Sequence, residues 1–231
     1  MNGIEIFISH SSADEKVAKA LIELLRDAFR IESSRIRCTS VAGYKLKTGA
    51  HAETVLRREI LQARVFIGIL SEVSLESAYV LFELGARWGT IQDYGMYGGA
   101  GAKNKIFPLL AAGATGSILR DPLKQYNALN CEKAGDLHQL INDVGHEINQ
   151  NPANAAAYQD KIDTLIRVSR QLKAKRTKEA NAKSAKSASA SAVAHSSKTA
   201  APRRKAANKK KTTSPKAKSG RAKKPLKRSS K

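Results

Sequence analysis

The chain has 231 residues, with 41 Lys and Arg against 20 Asp and Glu, and its formal charge of +21 is unevenly spread. Residues 1–172 hold 20 basic and 19 acidic side chains, whereas the other 59 residues hold 21 basic ones and the single acid Glu179. That division suits one ordinary domain followed by a basic tail. Cys38 and Cys131 are too few for a disulfide framework, and no leader pattern or apolar run of spanning length is present, so the expectation is a cytoplasmic protein without membrane insertion.

The β-branched and aromatic run Ile4-Glu5-Ile6-Phe7-Ile8-Ser9 predicts a first strand. Ser12-Ala13-Asp14-Glu15 has capping-box spacing, and Val17, Leu21, Leu24, Leu25 and Ala28 recur at helical spacing to about Phe29. A strand over Ile36 to Val41, a helix over Ala50 to Ala63 and a strand over Val65 to Leu70 come next. The last is apolar on both faces and therefore reads as buried on both. A helix over Ser74 to Trp88 follows, then strands over Ile106 to Ala111 and Ala128 to Cys131. Asp136 is expected to cap a helix carrying Leu137, Leu140, Ile141, Val144 and Ile148.

Five strands alternating with helices imply an α/β fold, flavodoxin-like and doubly wound, with a five-stranded, mostly parallel sheet. Ligands of such sheets bind beyond the carboxyl ends of the strands. This directs attention to Ser9–Ser12, Val41–Gly49, Ser71–Ser77 and Gly95–Gly101. Pro152 reads as a first helical position, and Tyr158, Ile162, Leu165 and Leu172 lie at 4-3-7 spacing in a helix expected to reach about Lys175. That stripe serves either self-association or packing back on the domain. From about Thr177 almost no large apolar residue remains, so the expected division is a domain over 1–150, a C-terminal helix over 151–176 and a disordered basic tail over 177–231.

Within Ser77-Ala78-Tyr79-Val80-Leu81-Phe82-Glu83-Leu84-Gly85-Ala86-Arg87-Trp88-Gly89, one carboxylate interrupts a nearly continuous apolar run. A carboxylate taken out of water without a partner costs several kcal/mol, so Glu83 must pair with a cation, reach solvent through a cleft, or do chemistry. The plain alternative to a functional role is an i,i+4 ion pair with Arg87, worth a few tenths of a kcal/mol.

Ile6-Phe7-Ile8-Ser9-His10-Ser11 on the first strand, the loop Gly43-Tyr44-Lys45-Leu46-Lys47-Thr48-Gly49 after the second, Leu70-Ser71 closing the third, and the helix with Tyr79 and Glu83 together resemble a bacterial-type Toll/interleukin-1 receptor (TIR) domain over residues 3–149. The resemblance implies an enzyme that cleaves the nicotinamide–ribose bond of NAD+, with Glu83 as its catalytic residue, NAD+ as substrate and no cofactor. It also implies self-association, contact with other TIR domains, and a signalling or defence role. Ser9, His10 and Ser11 fall where the family lines its nucleotide site; for Ser11 and Ser12 the alternative is helix capping. Tyr79 stands where active members often carry tryptophan, and its alternative is packing. Lys47 stands where some active relatives have an acid; with Lys45 it would face phosphates, or else belong to a solvated loop.

Gly98-Gly99-Ala100-Gly101 lacks the spacing and context of a dinucleotide fingerprint. No Cys/His spacing suggests a metal site. The clusters Arg203-Arg204-Lys205, Lys209-Lys210-Lys211 and Lys223-Lys224 resemble linker-histone-like tails and imply sequence-independent nucleic-acid binding, hence a possible nucleoid association. An anionic membrane surface or simple solubilisation are the alternatives. Two further readings stay open: a non-catalytic TIR interaction module tethered to DNA, and a nucleoside deoxyribosyltransferase-like enzyme, whose related fold also places a glutamate before a Leu-Gly-Ala-like turn.

Overall fold

Short apolar runs flanked by amphipathic segments assemble into one parallel sheet, in a computed structural model that describes residues 3–44, 51–90 and 104–196, with side chains through 184. The strands are β1 (Ile6–Ser9), β2 (Ile36–Arg37), β3 (Val65–Leu70), β4 (Ile106–Leu110) and β5 (Leu129–Asn130). They lie in the order β2-β1-β3-β4-β5, and every registered pair is parallel. This is the flavodoxin-like doubly wound order.

The helices are α1 (Glu15–Phe29), α2 (Ala52–Gln62), α3 (Glu72–Leu75), α4 (Ala78–Trp88), α5 (Ala134–Ile148) and α6 (Gln159–Ser196). Because side chains alternate across a strand, Ile6 and Ile8 enter one core layer with α1, α5 and the start of α6, while Phe7 enters the other with α2 and α4. All six residues of β3 are buried, as its apolar character on both faces requires.

Several local expectations are corrected. Ser11, not Ser12, caps the first turn: its hydroxyl oxygen accepts the Ala13 N–H, and a 3-10 turn over Ser12–Asp14 precedes α1. The second strand stops at Arg37, because Cys38 N–H donates to Tyr44 O and Tyr44 N–H to Val41 O, folding the chain into a turn. The helix expected over Ser74 to Trp88 is two. A Ser71/Ser74 capping box opens α3, and Ser77, in extended conformation, caps α4 through the Val80 N–H.

Asp136 lies in the first turn of α5 rather than capping it, and its carboxylate accepts the Asn130 N–H. Pro152 precedes a 3-10 turn over Ala155–Ala157 that Asn154 caps, so α6 begins only at Gln159. Of the two readings for its apolar stripe, packing on the domain is what is seen: Tyr158, Ile162 and Leu165 are buried in the layer with α1 and α5. The helix continues to Ser196 where an end near Lys175 and disorder from Thr177 were expected. Ala and Lys recur through residues 174–194; once the docked first half has nucleated the helix, such residues propagate it cheaply. By compactness the chain divides into Met1–Ser184, which holds the sheet, and Ala185–Lys231, of which the helical backbone to Ser196 is described.

Candidate active site

Ser9 ends β1 in phase with Phe7, so its side chain faces the layer occupied by α4. There its hydroxyl donates to Oε2 of Glu83 at 2.6 Å. Glu83 is only 2% exposed, and its other oxygen, Oε1, has no hydrogen-bond partner among the described residues. Burial pushes its carboxyl up to about 7, against a smaller downward pull from the Ser9 hydroxyl. A carboxylate held at one oxygen and without a partner at the other is suited to facing a developing cation.

Tyr79 lies one turn before Glu83 and is 48% exposed. Burial, then the charge of Glu83, raises its phenol above the usual range. Its ring is half exposed, which suits a ligand to stack on and equally a half-buried packing residue.

His10 leaves β1 towards the opposite layer, next to Cys38 of that core cluster. Its Nε2 meets Ser40 Oγ, and its Nδ1 lies 3.6 Å from Cys38 Sγ. Burial lowers the imidazole's pKa, outweighing the backbone of Ile8 and the acids Asp14 and Glu15. The same burial pushes the Cys38 thiol up to about 12, so it is no nucleophile at neutral pH. Ser11 engages its hydroxyl in capping. Lys45, Lys47, the Gly95–Gly101 stretch and the basic clusters Arg203-Arg204-Lys205, Lys209-Lys210-Lys211 and Lys223-Lys224 lie outside the described residues.

The rival ion pair for Glu83 is overturned. Arg87, fully buried, donates to the carbonyl oxygens of Ile60 at 2.9 Å, Arg64 at 3.4 Å and Lys105 at 3.4 Å, and its guanidinium lies 5.9 Å from the centre of the Phe66 ring. Among the described residues no ion pair joins it to Glu83.

Sequence reasoning missed Ser40 and the partners that Ser71 and Asp14 take. Ser40 holds His10. Ser71, after β3, donates to Asp14 at 2.8 Å. Asp14, with no exposed surface, also accepts from Arg176 at 2.9 Å. A cavity of about 980 Å³ lies elsewhere, lined by Leu75, Leu81, Leu84, Trp88, Ile118 and Leu123 among others; none of Ser9, His10, Tyr79 and Glu83 lines it. Among the described residues, no group of three or more His, Cys, Asp or Glu is placed to hold a metal, and no helix is long and apolar enough to cross a membrane.

A doubly wound parallel sheet with a buried glutamate held by the last residue of β1 defines a class of α/β domain. Within that class, the family model described as TIR domain matches residues 6–141, and the chain belongs to the TIR domain family. It is also 28% identical over 123 residues to the uncharacterized protein YddK of Bacillus subtilis (strain 168). That match takes in 53% of this chain and 46% of the relative, so the chain spans about half the length of the curated relative it matches.

Proposed function

We propose that the chain is a TIR-domain NAD+ hydrolase, cleaving the nicotinamide–ribose bond to give nicotinamide and ADP-ribose or its cyclised form. Glu83 supports this reading most directly, being buried with one oxygen held by Ser9 and the other without a partner. Nicotinamide departs with the bonding electron pair, which neutralises its ring charge, so no acid is needed to protonate it. The ribose carbon left behind is oxocarbenium-like, and an ionised Glu83 beside it lowers the barrier. Water then adds to that carbon and releases one proton to solvent.

In this reading Tyr79 offers its exposed ring for stacking, Ser9 orients Glu83, and His10, Ser11 and Lys47 contribute to the nucleotide pocket. Self-association raises activity, and the basic clusters of the tail bind nucleic acid without reading bases, which places the protein in the cytoplasm or at the nucleoid. The direct test incubates concentrated full-length protein with NAD+ and follows nicotinamide release, with Glu83→Gln as control. Absence of release at every concentration, or equal release by the variant, overturns the reading. A parallel screen of nucleosides separates it from a deoxyribosyltransferase.

One observation favours a non-catalytic TIR interaction module as the second reading. Tyr79, Leu81, Phe82 and Trp88 all stand exposed on α4, with Phe82 at 67%, which suits a contact with another TIR domain. Under that reading self-association is indifferent to Glu83→Gln.

A further inference from the structure

The helix α6 lies outside the family-matched residues 6–141, yet it touches loops that follow three of the five strands. Ser169, fully buried, accepts the Ala112 N–H beyond β4 at 2.8 Å and donates to Glu132 beyond β5 at 2.9 Å. Glu132 in turn accepts the Gly113 N–H at 2.7 Å. Arg170 donates to the Glu132 carbonyl. Two turns after Ser169, Arg176 reaches the loop beyond β1, donating to Ala13 O at 3.2 Å and Asp14 Oδ1 at 2.9 Å. Ser169 and Arg176 are seven residues apart and so share one helical face.

Asp14 is the point of convergence. It is fully buried, and a carboxylate taken out of water is costly unless its oxygens find partners. Its Oδ2 accepts the Ser71 hydroxyl, at the junction of β3 and the capping box of α3. Its backbone closes the short turn that Ser11 caps, next to Ser9 and His10. One cation from α6 therefore fixes the first turn after β1 and, through Asp14, the first turn after β3. Ser9, which donates to Glu83, ends the first of these strands and pairs in register with Gly68 of the second.

We propose that Arg176 is a positioning residue for the Glu83 site, holding the Ser9–Asp14 turn and Ser71 in register through Asp14. The catalytic consequence rests on the NAD+ hydrolase reading above; the geometric one does not. Arg176 touches no reacting atom. It acts by keeping Ser9 on Glu83, and a displacement of about 1 Å at a catalytic group is enough to cost about a hundredfold in rate.

The experiment uses the full chain and two readouts. Hydrogen exchange is measured without NAD+ for wild type, Arg176→Gln, Arg176→Lys and the exposed-face control Arg167→Gln. Arg176→Gln is expected to speed exchange about tenfold or more at residues 11–15 and 71–75, with β4 and α5 unchanged, while Arg176→Lys restores most of the protection and Arg167→Gln changes nothing. Nicotinamide release is then expected to fall about tenfold or more in kcat for Arg176→Gln, with KM within about twofold, and to recover in Arg176→Lys. Unchanged exchange at 11–15 and 71–75, or a uniform rise across the domain, overturns the proposal whatever the activity. Local exchange that rises with kcat unchanged overturns it too. If wild type releases no nicotinamide, the hydrolase reading fails while the exchange data still decide whether Arg176 fixes these turns. If Arg176→Gln does not fold, Arg176→Lys decides alone: it keeps the charge but loses the fork, so a small residual rise of about twofold confined to 11–15 and 71–75 supports the proposal, while no rise, or one spread over the domain, overturns it.

Discussion

Glu83 and Arg87 lie one turn apart on α4, both buried, and among the described residues they do not pair: the carboxylate meets the Ser9 hydroxyl while the guanidinium donates to backbone carbonyl oxygens. Each has been removed from water for a different reason. Arg87 cross-links the ends of α2 and the strand-entry segments Arg64 and Lys105, and burial lowers its pKa to about 10. Glu83 has no such structural work, and its burial is a cost the fold carries.

The pH dependence of stability follows from that cost. The folded-state pKa of Glu83 is raised to about 7, so the folded chain binds more protons than the unfolded one from roughly the ordinary carboxylate value up to about 7. Stability from this group is therefore lost as pH rises through that window. Glu83→Gln removes the effect. In urea titrations the variant should gain on wild type between about pH 5 and about pH 8, by up to about 3 kcal/mol as a ceiling. Equal stability differences at the two pH values sink the prediction.

Arg87 should behave in the opposite manner. Arg87→Met keeps the apolar bulk over Phe66 but leaves the Ile60, Arg64 and Lys105 carbonyls without their donor, and the loss should be about 2–4 kcal/mol at any pH between about 5 and 8. Arg87→Lys should rescue little of it, because one ammonium cannot reproduce the three-way fork. Thermal melts of the two variants check this.

The i,i+4 spacing of Glu83 and Arg87 shows why part of the site was hidden from sequence. That rule describes exposed side chains that are free to meet across one turn, whereas here each is drawn to a partner more than 15 residues away in the chain. The burial of Glu83 itself was legible, because β-branched and apolar neighbours surround it in the sequence and in α4. So was the sheet, since Val65–Leu70 has no polar face to expose. The stripe of α6 was read only in its apolar part. Tyr158, Ile162, Leu165 and Leu172 belong to a 4-3-4-3-4 series whose remaining members are Ser169 and Arg176, and polar residues in such slots signal a buried polar contact. Ser12-Ala13-Asp14-Glu15 shows only a local capping pattern in the sequence, while the partners of Asp14, Ser71 and Arg176, come from elsewhere in the fold.

If an ionised Glu83 supports bond cleavage, kcat/KM for nicotinamide release should rise with pH and level off, with a midpoint near the value of about 7 that burial gives its carboxyl. The Ser9 hydroxyl stabilises the charged form and opposes burial. Ser9→Ala should therefore move the midpoint to higher pH and reduce the rate at neutral pH about tenfold or more, with a smaller deficit at about pH 9. A profile displaced towards acid, or one that only scales down, contradicts this assignment of Ser9.

The tail can be tested without disturbing the domain, provided the cut respects α6. Removal of everything after Leu172 deletes Arg176 and so confounds nucleic-acid binding with the Asp14 clamp. Removal after Ser196 spares the whole of α6 and still takes away fifteen Lys and Arg with no acid. Counterion release from so many cations makes affinity fall steeply with salt, and no aromatic side chain in that segment is available to stack on bases. Full-length protein should thus retain duplex DNA of unrelated sequences equally at about 50 mM salt and lose it by about 300 mM. The protein truncated after Ser196 should lose about a hundredfold or more in affinity at the lower salt, with unchanged melting temperature and hydrogen exchange at residues 11–15. Gel shifts across a salt series decide it: retention by the truncated chain moves the nucleic-acid site into the folded domain, and a preference among sequences requires a base-reading element that the tail lacks.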